Sequence, residues 1–342
     1  MVGHAVTMLR AGIAWDADGY ECAVVDATGA LVGEPVRFAG RQLLDLVGYL
    51  RGYGADLAAV VDSTNGLVDA SLLAEGVSVY RADPPELPDR PPFGSVPAAD
   101  VARVDRSLLT ELTIETGTIT GLAATTWAAV EASAPVEELL AARGRFAASG
   151  RAGRPEVALT FDDGPDPRFT GAVLDILARY GVPATFFCVG MNAAGHPELV
   201  ERAAAAGHGL GNHLFSHPYI PDLTRDELLR QVDATGAALA RVTGAAPPLL
   251  RPPYGARTPD ALTWLDAHGA TTVIWDVDPQ DWARPRPDAI FRSALAGVRP
   301  GSIVLLHDGG GDRSHTVEAL PAIVEGVLER GYRPVTVDRI LA

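Results

Sequence analysis

From Pro155 onward, short apolar runs alternate with stretches of helical spacing. Residues 157–160, 184–189, 249–251, 272–275, 303–306 and 335–336 read as strands. Residues 170–180, 197–206, 225–243, 259–268, 287–298 and 316–330 read as helices. Regular alternation of this kind predicts an α/β fold with a parallel sheet, closed or nearly closed into a (β/α) barrel. In such a barrel chemistry gathers at the C-terminal ends of the strands.

The first half is patterned differently. Residues 13–16, 21–26 and 31–38 read as three short strands, with turns at Asp18-Gly19 and Thr28-Gly29. A helix at 42–50, a strand at 58–61, a helix at 67–75 and a strand at 77–80 follow, then a Pro-rich loop from Pro84 to Pro97. Three strands in meander followed by alternating helix and strand is the order of an RNase H-like domain. The pieces Gly12-Ile13-Ala14-Trp15, Val60-Val61-Asp62-Ser63-Thr64-Asn65-Gly66 and Val77-Ser78-Val79-Tyr80 resemble that domain of DEDD-type transposases. Such nucleases hold two metal ions with several carboxylates. Here Ala14 and Pro97 stand at two of those positions, with Asp62 and Asp100 left over, which implies an accessory rather than a nuclease role. Helical stretches are expected around 126–132 and 136–146. The small-residue run from Ala148 to Pro155 then marks a joint, giving domains 1–150 and 151–342.

Composition narrows the class. The chain has 342 residues and a formal net charge of −15. Residues 1–150 carry 10 Arg against 20 acidic residues, and residues 151–342 carry 18 Arg against 23. Neither half has the charge of a nucleic-acid binder. Every basic residue other than histidine is Arg, which reflects coding bias. Cys22 and Cys188 have no metal-ligand spacing and read as core residues. Arg10 interrupts the only apolar stretch near the N-terminus, so no signal peptide is expected, and Met8 offers an alternative start. No apolar run is long enough to span a membrane. The expectation is a cytoplasmic protein with no membrane or nucleic-acid partner; a homo-oligomer is left open.

The candidate chemistry is concentrated at the predicted strand ends. Asp162-Asp163-Gly164-Pro165 puts two adjacent carboxylates where the first barrel strand exits. One can ligate a metal while the other moves a proton; the plain alternative is a solvated turn. His213 and His217 are four residues apart, a spacing that puts two imidazoles on one side of a tight turn. Arg251-Pro252-Pro253-Tyr254 places an Arg at a strand end before a stiff turn. Asp281-Trp282 sets a carboxylate beside a large aromatic, and Leu305-Leu306-His307 ends a buried strand with a group that titrates near neutral pH. Each has an ordinary reading as a loop, cap or core position.

Taken together and in this order, these segments resemble the polysaccharide deacetylase family, also called carbohydrate esterase family 4 or the NodB homology domain. The resemblance covers residues 155–342. It implies Asp162 as general base, with Arg251 holding it. It implies Asp163, His213 and His217 as metal ligands. It implies His307 as general acid tuned by Asp281, the backbone N–H of Tyr254 as an oxyanion donor, and Trp282 and Leu305 as walls of an acetyl pocket. Leu214 departs from the pattern, which has Ser or Thr after the first metal histidine.

An Asp-His-His set suits Zn²⁺, with Co²⁺ or another transition metal as alternatives. The expected activity is metal-dependent removal of an N-acetyl group from an amino sugar, an oligosaccharide or a related acetamide. Hydrolysis of another amide or ester in a small metabolite is the nearest alternative. A non-catalytic carbohydrate-binding protein and a nucleic-acid enzyme working through the first domain are the others. Metal without turnover would point to the former, and salt-sensitive DNA binding to the latter.

Overall fold

A computed structural model describes residues 9–54, 56–115, 118–119, 123–151 and 153–342. The alternative start at Met8, and Ala152 within the expected joint, lie outside the described residues. The chain forms two compact units, Met1–Ala123 and Ala124–Ala342.

The first unit is built on β1 (Leu9–Asp16), β2 (Gly19–Val25), β3 (Val36–Ala39), α1 (Leu43–Arg51), β4 (Leu57–Asp62), α2 (Gly66–Ala74), β5 (Ser78–Ala82), α3 (Ala98–Arg103) and β6 (Thr110–Leu112). Its sheet order is β3-β2-β1-β4-β5-β6. The first three strands form an antiparallel meander, and β4 and β5 run parallel to β1. The expected elements are present with shifted ends. Leu31 only bridges Val25, so the third strand is shorter than its apolar pattern. A two-strand hairpin, β7 (Ile114–Glu115) and β8 (Thr118–Ile119), follows β6.

The boundary between the units falls after the first residue of α4 (Ala123–Ala142), a continuous helix that runs through Pro135. This corrects the expectation of two stretches ending at residue 146. The helix stops at Ala142, Gly144 turns with φ 68°, and Phe146–Ala147 becomes strand β9. Then come β10 (Glu156–Asp162), α5 (Thr170–Tyr180), β11 (Thr185–Cys188), α6 (Gly190–Gly195), α7 (Pro197–Ala205), β12 (Gly209–Asn212), α8 (Arg225–Thr243), β13 (Leu249–Leu250), α9 (Pro259–Ala267), β14 (Thr271–Val273), α10 (Pro287–Gly297), β15 (Ile303–His307), α11 (Ser314–Glu329), β16 (Arg333–Pro334) and α12 (Val337–Leu341).

The main sheet is parallel throughout, in the order β15-β10-β11-β12-β13-β14-β9, with β16 on β10. Val277, just beyond β14, bridges Val304 of β15, so the sheet curls back on itself as a distorted barrel. The helices pack outside it: Val173, Leu177, Ile290, Leu320 and Val324 close on Leu159, Phe161 and Val304 in one apolar cluster. Cys22 and Cys188 are buried and unpaired. The last strand lies at Arg333–Pro334, two residues ahead of the expected 335–336, because α12 already begins at Val337. Among the described residues no helix is long and apolar enough to cross a membrane.

Candidate metal and catalytic site

The parallel register sets the site. Thr160 pairs with Leu305 and Asp162 with His307 across β10 and β15. Alternate residues of a strand share a face, so these four side chains belong to one patch. Asp162 ends β10, His213 follows β12, Arg251 follows β13, Asp281 lies in the loop beyond β14, and His307 ends β15. All stand at the C-terminal ends of parallel strands, as the sequence predicts.

The adjacent carboxylates separate by partner. Asp162 Oδ1 accepts from Arg251 Nη1 at 2.7 Å. Asp163 adopts φ 72°, which turns its carboxylate away from the strand; its Oδ1 lies 3.3 Å from His213 Nε2 and 3.2 Å from His217 Nε2. Arg251 is fully buried, and its guanidinium sits 4.1 Å from the centroid of Phe187. It also donates to Thr160 Oγ1 at 2.8 Å and to the carbonyl oxygens of Val273 and Ile274. A buried cation with all three of its nitrogens engaged is a rigid clamp on one carboxylate oxygen.

The facing ligand atoms of Asp163, His213 and His217 all lie within 4.8 Å of one another, and all three residues are buried. His213 Nδ1 is 2.7 Å from the Arg251 carbonyl oxygen, an acceptor only. That nitrogen must carry a proton, which leaves Nε2, the nitrogen facing Asp163, as the one available to a metal. Asp163 Oδ1 is buried without a hydrogen-bond donor. Burial alone would raise its carboxyl, but the rings of His217 and His213 hold it well below the usual carboxylate range. Burial pushes His217 below the ordinary imidazole value. A buried carboxylate and two imidazole nitrogens converging on one point fit a divalent ion of the zinc type, which would take the place of any proton between them. Among the described residues no other such group of His, Cys, Asp and Glu occurs.

Opposite lies the pair of Asp281 and His307. Asp281 Oδ1 is 2.7 Å from His307 Nδ1, and its Oδ2 accepts from the His307 N–H at 2.9 Å and from Thr316 Oγ1 at 2.8 Å. Burial opposes the charge on His307, yet Asp281 lifts its pKa to about 9. Burial likewise opposes charge on Asp281, and His307 holds it below the usual value. At neutral pH the pair is an imidazolium on a carboxylate, an acid held ready. Trp282 is partly buried, with its carbonyl accepting from Arg313 at 3.2 Å, and Leu305 is buried two residues before His307. Tyr254, at φ 59°, stands edge-on to His217 with ring centroids 4.5 Å apart.

Sequence reasoning missed the supports. Gln231 on α8 accepts from the N–H groups of Phe215 and Ser216 at 2.8 and 3.0 Å and donates to Ser216 Oγ. A helical Gln carries no sequence signal for that. Thr160 and Thr316 were missed too, although Thr160 is two residues from Asp162 on a strand and so shares its face. Asp308, beside the acid, is buried and its carboxyl is lifted to about 7 by that burial, with Thr170 donating to it at 2.6 Å. Gly310 leaves room for the metal set: a Cβ there would come within 2.2 Å of Asp163 Oδ2.

A curled parallel barrel with an Asp-His-His centre between a clamped carboxylate and a charged histidine defines a metal-dependent hydrolase site. The family model for polysaccharide deacetylase matches residues 149–273. A chitooligosaccharide deacetylase of Sinorhizobium fredii is 44% identical over 191 residues, which cover 53% of this chain and 89% of that one. The chain belongs to the polysaccharide deacetylase family. Among solved structures, a peptidoglycan N-acetylglucosamine deacetylase in complex with 4-naphthalen-1-yl-N-oxidanyl-benzamide aligns with a TM-score of 0.58 and 38% identity, covering 59% of this chain and 95% of that chain. A CE4 family pseudoenzyme from Bacillus anthracis aligns with a TM-score of 0.54 and 27% identity, covering 58% and 69%. The fold thus carries both outcomes, and the site residues have to decide between them.

Proposed function

We propose that the chain is a metal-dependent N-deacetylase acting on an acetylated amino sugar, as a monomer or in an oligosaccharide, and releasing acetate and a free amine. The observation that carries this reading is the convergence of the Asp163, His213 and His217 ligand atoms between two separately supported groups, Asp162 on Arg251 and His307 on Asp281.

Asp163, His213 and His217 would hold the ion, with zinc the favoured metal. Bound there, it would polarise the acetyl carbonyl and make a water more acidic. Asp162 takes a proton from the attacking water, whose oxygen bonds to the acyl carbon. Arg251 keeps that carboxylate aimed. The backbone N–H of Tyr254 donates to the carbonyl oxygen as it gains negative charge. His307 delivers its proton to the amide nitrogen, the C–N bond breaks, and Asp281 steadies the imidazole through the transfer. Trp282 and Leu305 wall the acetyl group. The first unit is read as an RNase H-like accessory domain without chemistry of its own. The names of the relatives support sugars as the substrate class.

The test is acetate release from a panel of chitooligosaccharides, N-acetylglucosamine, acetylated sugar nucleotides and aryl acetate controls. The protein is stripped of metal and then restored with Zn²⁺ or Co²⁺. Release should require metal and fall by about 10²- to 10⁴-fold in Asp162→Asn, the range for losing a general base. Protein loaded with zinc that releases acetate from no member of the panel would leave a binding protein, like the pseudoenzyme in fold and in inactivity.

A further inference from the structure

The family match begins at residue 149, but the turn bearing Tyr254 is tied to a helix that ends before it. Glu137 on α4 accepts from Arg257 Nε at 2.6 Å, with the two side chains only 17% and 9% exposed. Arg257 Nη1 donates to the Gly255 carbonyl at 2.7 Å, and its guanidinium lies 5.6 Å from the ring of Phe146 on β9. Ser133 Oγ on the same helix is 3.3 Å from the Arg257 carbonyl oxygen. At the start of α4, Thr126 Oγ1 is 3.2 Å from the hydroxyl of Tyr219, whose ring stands 6.4 Å from that of Tyr254.

The turn is short and unusual. The Gly255 and Ala256 N–H groups close it onto the carbonyls of Pro252 and Pro253. Tyr254 in between has φ 59° and ψ 6°. A non-glycine residue holds that left-handed conformation only where its surroundings impose it. The next carbonyl along, that of Gly255, is the one Arg257 grips. The fork of Arg257 is in turn fixed by a carboxylate, a charge-assisted contact in which geometry and energy are both set.

We infer that Arg257 and Glu137 are positioning residues, through which α4 fixes the Pro252–Gly255 turn and with it the Tyr254 N–H that faces the reacting carbonyl. This rests on the role proposed for Tyr254. It makes α4, which the family model does not reach, part of what sets the rate.

The experiment compares the full zinc-loaded chain with Arg257→Lys, which keeps the charge and loses the fork, and with Glu137→Gln, which keeps an acceptor of the same shape. Hydrogen exchange by mass spectrometry reads residues 252–257 and, separately, residues 211–218. Calorimetry reads zinc affinity. Steady-state kinetics on penta-N-acetylchitopentaose read kcat and KM apart. In Arg257→Lys, exchange at 252–257 should quicken by about tenfold, with residues 211–218 and zinc affinity within about threefold of wild type. Its kcat should fall by about 10- to 100-fold with KM little changed, the signature of a misplaced group rather than a lost binding contact. Glu137→Gln should lie between the two. Unchanged exchange at 252–257, or equal quickening at 211–218 with loss of zinc, would overturn the inference. If wild type itself turns over nothing, the deacetylase reading fails, and the exchange data still decide whether the pair holds the turn.

Discussion

Two neighbouring aspartates do different work here because one backbone angle separates them. Asp162 keeps the strand's direction and meets Arg251, while Asp163 at φ 72° swings onto the histidines. Their adjacency at a strand exit was legible in the sequence. The split into base and metal ligand followed from the family resemblance; the positive φ behind it did not show in the dipeptide, and Gly309 and Gly310, where a Cβ would come within 2.4 and 2.2 Å of Asp163, leave room for it. The His307–Asp281 pair makes a prediction at the same scale. His307 is held at about 9 in the folded protein, above the ordinary value of about 6.5. A group whose folded pKa is raised contributes stability fully below its unfolded value and loses it as pH climbs through the folded one. The pair should therefore stabilise metal-free protein most below about pH 6.5 and cease to by about pH 9 to 10. In Asp281→Asn, the His307 ring signals followed by NMR should titrate well below 9. The difference in melting temperature from wild type should shrink as pH rises from about 6.5 to 9. A ring that still titrates near 9 without Asp281 would assign the shift to something else.

At the scale of elements, long periodic segments were legible and short glycine-rich ones were not. Helix α8 announces itself by its apolar spacing and by Thr224 and Glu227, whose reciprocal bonds cap it. Strand β12, Gly-Leu-Gly-Asn, shows no alternating apolar pattern. It is nonetheless a central strand, and a Cβ on Gly211 would sit 2.3 Å from the Phe187 ring on β11. The loop after it also resolves the departure at Leu214. That side chain is fully buried among Leu228, Val232 and Leu250, and its N–H donates to Asn212 Oδ1 at 2.9 Å. An apolar anchor and the amide of Gln231 thus fasten the loop where the family pattern has Ser or Thr. Gln231→Leu would orphan two buried N–H groups, each costing about 1–3 kcal/mol. Its melting temperature should fall, and its zinc affinity should drop by about 10- to 100-fold, as for lost supports of metal ligands. Calorimetry with Zn²⁺ checks this; affinity within twofold of wild type would show that the loop holds without Gln231.

Across the whole molecule, the question is where the catalytic unit begins. The small-residue run after Ala148 looks like a joint in sequence, and the family match starts at residue 149. The compact unit starts earlier, at Ala124. The reason is physical. β9 supplies the outer strand of the barrel sheet, pairing with β14, and Phe146 packs with Leu140 and Leu262 in a cluster that α4 covers. A fragment of residues 149–342 would lose that strand, uncover Leu262 and free the turn at Tyr254. Burying an aliphatic or aromatic side chain stabilises by about 1.5–3 kcal/mol, so removing this cluster costs on the order of 5 kcal/mol. That is comparable with the whole stability of a typical domain, about 5–15 kcal/mol. A fragment of residues 124–342 keeps every one of these contacts together with all the residues assigned to metal and proton transfer. It should melt cooperatively, bind zinc as well as the full chain does and release acetate at the full chain's rate. The 149–342 fragment should melt at least 10 °C lower. If the shorter fragment matched the longer in melting and turnover, α4 and β9 would be attachments to the unit rather than parts of it.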